Sequence, residues 1–195
     1  MVSAAILAGG RATRFDGRDK SALVVDGRTI LDRQIDALGA LTGDILIVGH
    51  ASHPRARTIA DRVVDCGPLG GLHAALSEAR GDRVILLACD MPFVTPAFLA
   101  HLVDRMESAV PEAPEAMVAV VPATERGYHP LCAVYPRAAL GIVEQHLAQR
   151  RLKMTDLLSR LRVLVVPSED VERFDDRHRL LTNVNTAADF ATINQ

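Results

Sequence analysis

The sequence predicts a three-layer α/β domain, with helices on both faces of a mostly parallel sheet. Three observations carry that expectation. Short unbroken apolar runs, SAAILA (3–8), DILIVGH (44–50) and RVILLACDMP (83–92), read as strands buried on both faces. Stretches with helical periodicity alternate with them. Glycine-rich or acidic loops follow the runs, at 9–20, 65–71 and 89–92, and a fourth polar loop lies near 129. In such folds ligands bind beyond the carboxyl ends of the strands, so these loops are where the chemistry is expected.

Taken in order, the first strand (3–8) opens into a glycine-rich loop that runs to Lys20. ALVVDGRTIL carries an Asp26-Gly27 turn between apolar runs and predicts a hairpin. LDRQIDALGAL (31–41) puts Leu31, Ile35 and Leu38 on one helical face. The strand 44–50 comes next, then a basic connection, a short strand at 62–65 and a second Gly/Pro loop. LHAALSEARG reads as a helix with Gly81 as its C-cap. After the strand 83–92, Thr95 as N-cap and Pro96 at the first helical position open another helix. VPEAPEA (110–116) is a surface loop and AMVAVVPA (116–123) a strand. GYHPLCAVYPRAAL holds one more strand and a helix start, LAQRRLKMTDLLSRL is mostly helical, RVLVVP (162–167) is a late strand and TAADFATIN a closing helix. No repeat or linker interrupts the series, so residues 1–195 are expected to form one domain.

Composition narrows the function. The chain is 49% hydrophobic and 24% charged, which fits a folded globular protein and not a disordered one. A net charge of −2 without a basic block argues against nucleic acid as the main partner. Cys66, Cys89 and Cys132 are odd in number and form no CxxC pair, as expected of a reducing compartment. No apolar run approaches the ~20 residues of a membrane span. VSAAILA lacks a basic leader and passes straight into glycines, unlike a signal peptide. No membrane association and a cytoplasmic location are therefore expected. Only two of the 22 basic residues are lysines, Lys20 and Lys153, so a lysine marks a place where a compact ammonium is wanted.

The first loop fits neither G-x-x-x-x-G-K-[ST] nor G-x-G-x-x-G. Leu7-Ala8-Gly9-Gly10, followed by Arg14, Gly17 and Lys20, instead resembles the L-A-G-G-x-x-x-R-M-G-x-x-K signature of nucleotidyltransferases with a Rossmann-like domain. Phe15 stands where those proteins usually have Met, and Asp16 is an extra residue before Gly17. Asp90 closes an apolar strand, where a carboxylate either holds Mg²⁺ against phosphates or caps the next turn. Beside a phosphate loop the metal reading is favoured. Asp65-Cys66-Gly67-Pro68-Leu69-Gly70-Gly71 then walls a nucleotide site, with Asp65 as a base, ribose or metal contact.

Together with DCGPLGGL, LLACDMPF, YHPLCAVY and the late TNVNTAAD, the loop makes nearly the whole chain similar to molybdenum cofactor guanylyltransferases of the MobA type. The resemblance implies transfer of GMP from GTP to the terminal phosphate of molybdopterin, with pyrophosphate released and Mg²⁺ as cofactor. It implies backbone contacts to the nucleotide at Leu7, Ala8, Gly9, Gly10 and Gly70, charge stabilisation by Arg14 and Lys20, and Mg²⁺ on Asp90. His129, Asn183 and Asn185 would meet the acceptor. The two asparagines could also cap the final helix, and the family analogy favours the acceptor role. Arg150, Arg151 and Lys153 are either a solvated helix end or an aid to a phosphorylated acceptor. Transient contacts with other proteins of molybdenum-cofactor synthesis, or with proteins that receive the cofactor, would fit that role. Three alternatives stand beside this one. A cytidylyltransferase would use CTP, although such relatives more often carry L-A-A-G. Sugar nucleotidyltransferases share the double glycine but are longer. A non-catalytic nucleotide-binding module would not need Arg14, Lys20 and Asp90 together.

Overall fold

The computed structural model describes residues 1–9, 14–15, 18–61, 63, 65–109, 117–175 and 177–184, of which 14–15 and 18–20 are described by backbone alone. β1 (Val2–Ala8) lies inside the main sheet. β6 (Ile45–Gly49) runs parallel to it on one side and β8 (Arg83–Ala88) on the other, and β7 (Arg57–Ile59) extends the parallel set beyond β6. β11 (Cys132–Pro136) reverses direction against β8 and joins it to β9 (Val118–Thr124). Along β9 lie β12 (Arg162–Val166), parallel, and the short β10 (Gly127–Tyr128), antiparallel. The order is β10-β9-β11-β8-β1-β6-β7 with β12 on β9. The sheet is mostly parallel, in the Rossmann-like arrangement expected.

β1 explains the layers. Its successive side chains point to opposite faces. Ala4, Ile6 and Ala8 join one apolar cluster and Ala5 another. The first cluster is completed by α1 (Ile30–Gly39), α3 (Pro96–Ala109) and α6 (Ser168–Glu172), through Ile35, Phe98, Leu102 and Val171. The second is completed by α2 (Gly67–Glu78), α4 (Leu140–Ala148) and α5 (Met154–Leu158), through Leu72, Leu76, Val143 and Leu157. Helices therefore cover both faces. The hairpin predicted around Asp26-Gly27 forms from β4 (Val24–Val25) and β5 (Arg28–Thr29), and both turn residues have positive φ as a tight hairpin requires. Thr29 caps α1 by accepting the Asp32 N–H at 3.0 Å, and Thr95 accepts the Phe98 N–H at 3.3 Å at the head of α3.

Four local expectations are corrected. No strand occupies 62–65 among its described residues: the strand is β7, upstream, and Asp65 has φ 59, outside the extended region. The second glycine cluster is not a loop but the opening turns of α2, with Pro68 in the first turn, where its missing N–H costs nothing. Gly81 does not cap that helix, which ends at Glu78. A Cβ at Gly81 would lie 2.6 Å from the Met1 carbonyl oxygen, so the glycine serves close strand packing. Finally, the long basic helix breaks between α4 and α5, where Arg150 takes φ 54. The expected closing helix lies outside the described residues.

The amino ends of the parallel strands are held by one buried carboxylate. Asp44, 9% exposed, accepts hydrogen bonds from Ser3 Oγ (2.6 Å), Arg57 Nη2 (2.8 Å) and the Arg80 N–H (3.0 Å). Ser3 Oγ accepts in turn from the Gly81 N–H at 2.8 Å. Burial alone would push the Asp44 carboxyl up, but the bonds from Ser3, Arg57 and Arg80 outweigh it and hold it below the usual carboxylate range.

Candidate active site

Strand directions gather the predicted loops at one edge of the sheet. β1, β6, β7 and β8 all end there, as does β9, and β11 begins there. At the β1 exit, Leu7 is half-buried, Ala8 is buried, and Gly9 faces Gly49 at the end of β6. Gly49 has φ +132, and a Cβ on it would lie 2.4 Å from the Ala8 carbonyl oxygen. A second obligatory glycine thus supports the mouth of the first loop, which the motif did not reveal. Leu7 also supports α2, because a Cβ on Gly71 would lie 2.8 Å from Leu7 Cδ2.

Gly10 and Gly17 lie outside the described residues. The backbone of the first loop folds back as a two-residue ribbon, β2 (Arg14–Phe15) against β3 (Arg18–Asp19), with Arg14 opposite Asp19. That register sets Arg14 beside the chain position that precedes Lys20. Lys20 then starts a single 3₁₀ turn, Lys20–Ala22, leading into β4.

Asp65 is exposed and directly precedes Cys66, the N-cap of α2, which makes no side-chain cap bond. Gly70 is buried within α2, where a Cβ would come 2.9 Å from the Val63 carbonyl oxygen, so packing by itself accounts for this glycine. Arg150, across the break between α4 and α5, sets Nη1 3.6 Å from Cys66 Sγ. The structure therefore brings part of the basic cluster to the Asp65–Cys66 corner, while Lys153 is exposed and precedes α5.

Asp90 is half-buried in the turn that follows β8. Its carbonyl accepts the Val184 N–H at 2.8 Å. Val184 is fully buried among Leu23, Val25, Ile30 and Phe93, so the exposed Asn183 is fixed beside the Asp90 turn. Asn185 lies outside the described residues. The same segment is locked upstream, where Asp175 accepts the N–H groups of Arg179 and Leu180, and the Arg179 guanidinium sits 4.2 Å from the Phe93 ring centre. Arg33 stands 5.7 Å from that ring and donates from Nε to the Pro92 carbonyl at 2.9 Å.

His129 also reaches this edge, since its neighbour Leu131 accepts the Ala88 N–H at 2.8 Å. Its ring is engaged: Nε2 and Thr124 Oγ1 are 2.8 Å apart. Burial, aided by the nearby Arg126 charge, pushes the imidazole below its ordinary value. His129 is therefore neutral at neutral pH, suited to hydrogen bonding and not to charge neutralisation. The three cysteines are buried free thiols, and burial pushes Cys132 up to about 12, which leaves that thiol protonated and unreactive.

Sequence reasoning missed Gln34. This residue lies in the apolar stripe of α1 yet is 1% exposed, and its amide nitrogen donates to the carbonyls of Ala88 (2.7 Å) and Met91 (3.1 Å). A polar residue between Leu31, Ile35 and Leu38 was the available signal.

No group of three His, Cys, Asp or Glu among the described residues could hold a metal by itself. Mg²⁺ takes one or two carboxylates and completes its shell with phosphates and water. Asp90, a half-buried carboxylate at the strand edge that faces the first loop, fits such a donor set.

Comparison with known proteins gives the family and the fold. The family model for a MobA-like NTP transferase domain matches residues 4–164. The molybdenum cofactor guanylyltransferase of Desulfosudis oleivorans is 32% identical over 189 residues, covering 95% of this chain and 90% of the relative. The crystal structure of molybdopterin-guanine dinucleotide biosynthesis protein A from Archaeoglobus fulgidus superimposes with a TM-score of 0.81 at 27% identity, covering 100% of this chain and 97% of the other. At the level of fold alone, Rv0371c of Mycobacterium tuberculosis, solved in complex with manganese, matches with a TM-score of 0.57 at 18% identity over 90% of this chain and 98% of the other. Sheet order, the glycine-lined β1 exit and the family match converge: the chain belongs to the MobA-like NTP transferase family and is a nucleotidyltransferase.

Proposed function

We propose that this enzyme transfers GMP from GTP to the terminal phosphate of molybdopterin, yielding the guanine dinucleotide form of the molybdenum cofactor. The observation that carries the reading is the Val184 N–H bond to the Asp90 carbonyl, which ties the segment bearing Asn183 to the turn bearing a metal-competent carboxylate. A nucleotide half and an acceptor half then share one edge of the sheet.

In this reading the Leu7–Gly10 backbone receives the nucleotide, Asp65 and Gly70 line its site, and Arg14 and Lys20 neutralise the triphosphate. Asp90 would hold Mg²⁺, which when bound supplies neutralisation of charge on the phosphates. His129, Asn183 and Asn185 orient the acceptor through neutral hydrogen bonds. A phosphate oxygen of molybdopterin attacks the α-phosphorus, a P–O bond forms, and the bond to the β-phosphate oxygen breaks with its electrons leaving on pyrophosphate. No protein nucleophile takes part, so catalysis rests on positioning and charge. The setting would be the cytoplasm, where GTP and thiol-rich molybdopterin are available and three free cysteines persist.

Pyrophosphate release from the full chain with molybdopterin, Mg²⁺ and each NTP in turn tests the proposal. Release with GTP, and a dinucleotide product of matching mass, is expected. Preference for CTP would replace the guanylyl reading with a cytidylyl one, and silence with every NTP would overturn it.

A further inference from the structure

We infer that Gln34 is a positioning residue for Asp90, holding the turn that presents this carboxylate; the inference rests on the reading of Asp90 as the metal-holding group. Four carbonyls at the end of β8 and in the turn that follows, those of Ala88, Asp90, Met91 and Pro92, accept hydrogen bonds from outside the turn. Gln34 alone serves two, on either side of Asp90, with a single amide nitrogen. Arg33, its neighbour on α1, serves Pro92, and Val184 serves Asp90 itself.

Packing does not call for an amide at position 34. The residue is buried in a helix whose neighbours Leu31, Ile35 and Leu38 are apolar, and an apolar side chain would avoid the cost of desolvating an amide. What the amide adds is direction. Its two N–H groups fix the Ala88–Cys89 and Met91–Pro92 peptides, which bracket the Cys89-Asp90-Met91 stretch and so limit where its carboxylate can point. Ligands of a metal must be held to within about half an ångström, and loss of a residue that orients one costs roughly 10–100-fold in metal affinity. Among the described residues the other buried polar groups are Asp44 and Ser3, which hold the opposite edge of the sheet, His146 in α4, and Ser21 in the Lys20–Ala22 turn.

The test uses the full chain and Mn²⁺·GTP as a paramagnetic probe, with water-proton relaxation reporting the protein-bound complex. Asp90→Asn is expected to weaken binding more than any Gln34 variant while leaving a measurable signal. Gln34→Met, which keeps length and shape but donates nothing, is expected to weaken binding about tenfold, and the double variant to be no weaker than Asp90→Asn. Should Gln34→Met not fold, Gln34→Asn, too short to span both carbonyls, is read in its place and is expected to weaken binding in the same direction. Wild-type binding by the Gln34 variant, whatever its melting temperature, overturns the proposal and leaves the metal role of Asp90 standing. Additive loss in the double variant also overturns it. Wild-type binding by Asp90→Asn removes the metal reading itself, and the inference with it.

Discussion

Asp44→Asn isolates the network at the amino edge of the sheet. The carboxylate accepts three hydrogen bonds, one from a guanidinium, and its two oxygens are almost wholly withdrawn from water. Asparagine keeps the shape but loses the charge and turns one acceptor into a donor facing donors. Hydrogen bonds to charged groups contribute about 1.5–3 kcal/mol each. Arg57 is partly open to solvent, which reduces its share, so a net loss of about 2–3 kcal/mol is expected. For a chain of this size that lowers Tm by roughly 4–12 °C.

The pH dependence has a definite sign. The folded carboxyl titrates below its unfolded value, so its stabilisation is complete above the unfolded pKa of 3.8 and is lost as pH falls through the folded one. Calorimetry or circular dichroism of both proteins from pH 7 to pH 2.5 should show a constant gap down to about pH 4, closing below it. A gap under 1 °C at pH 7, or one that persists undiminished at pH 2.5, would refute the account.

Other consequences follow from the same contacts. Gly49→Ala forces a Cβ onto the Ala8 carbonyl in a backbone region costly to non-glycine residues, so a loss of at least about 3 kcal/mol by urea melts is expected, with nucleotide affinity falling in whatever folds. Arg179→Met removes the cation from Phe93 and loosens the segment that carries Asn183. The KM for molybdopterin should rise severalfold (about 1 kcal/mol, from the cation–π contact) in steady-state assays while that for GTP stays within about twofold. Lys20→Arg replaces a compact ammonium by a planar fork and should lower kcat by roughly 10-fold or more, with little change in Tm.

The parallel core was legible because β1, β6 and β8 are apolar on both faces, a pattern with few other uses. Failures cluster where one residue type serves several purposes. Glycine at 70, 71 and 81 reads as loop or cap, yet all three permit close packing, against Val63, Leu7 and Met1. Pro68 sits in the first turn of α2, and a Gly-Pro sequence reads as a break. Arg150 breaks a helix with a left-handed conformation that arginine rarely adopts and no pattern announces. At the site, Asp90 was visible because it ends an apolar strand, and the placement of Asn183 because its motif is distinctive. Gln34, Arg33 and Gly49 act through backbone atoms of distant residues, and a sequence pattern does not record which backbone a side chain will meet.

The two edges of the sheet use their polar groups differently. At the amino edge one carboxylate gathers donors from three segments, and charge itself is the fastener. The turn that bears Asp90 at the carboxyl edge is fastened instead through carbonyl oxygens, by an amide, a guanidinium and a backbone N–H. That fastening holds the backbone on both sides of Asp90. His129 reaches the same edge, where burial and the Arg126 charge push its imidazole below the ordinary value. In the proposed function Arg14, Lys20, Asp65 and Asp90 meet the charge of the nucleotide, and for Asp90 the backbone fastening of its turn fixes the position from which it does so.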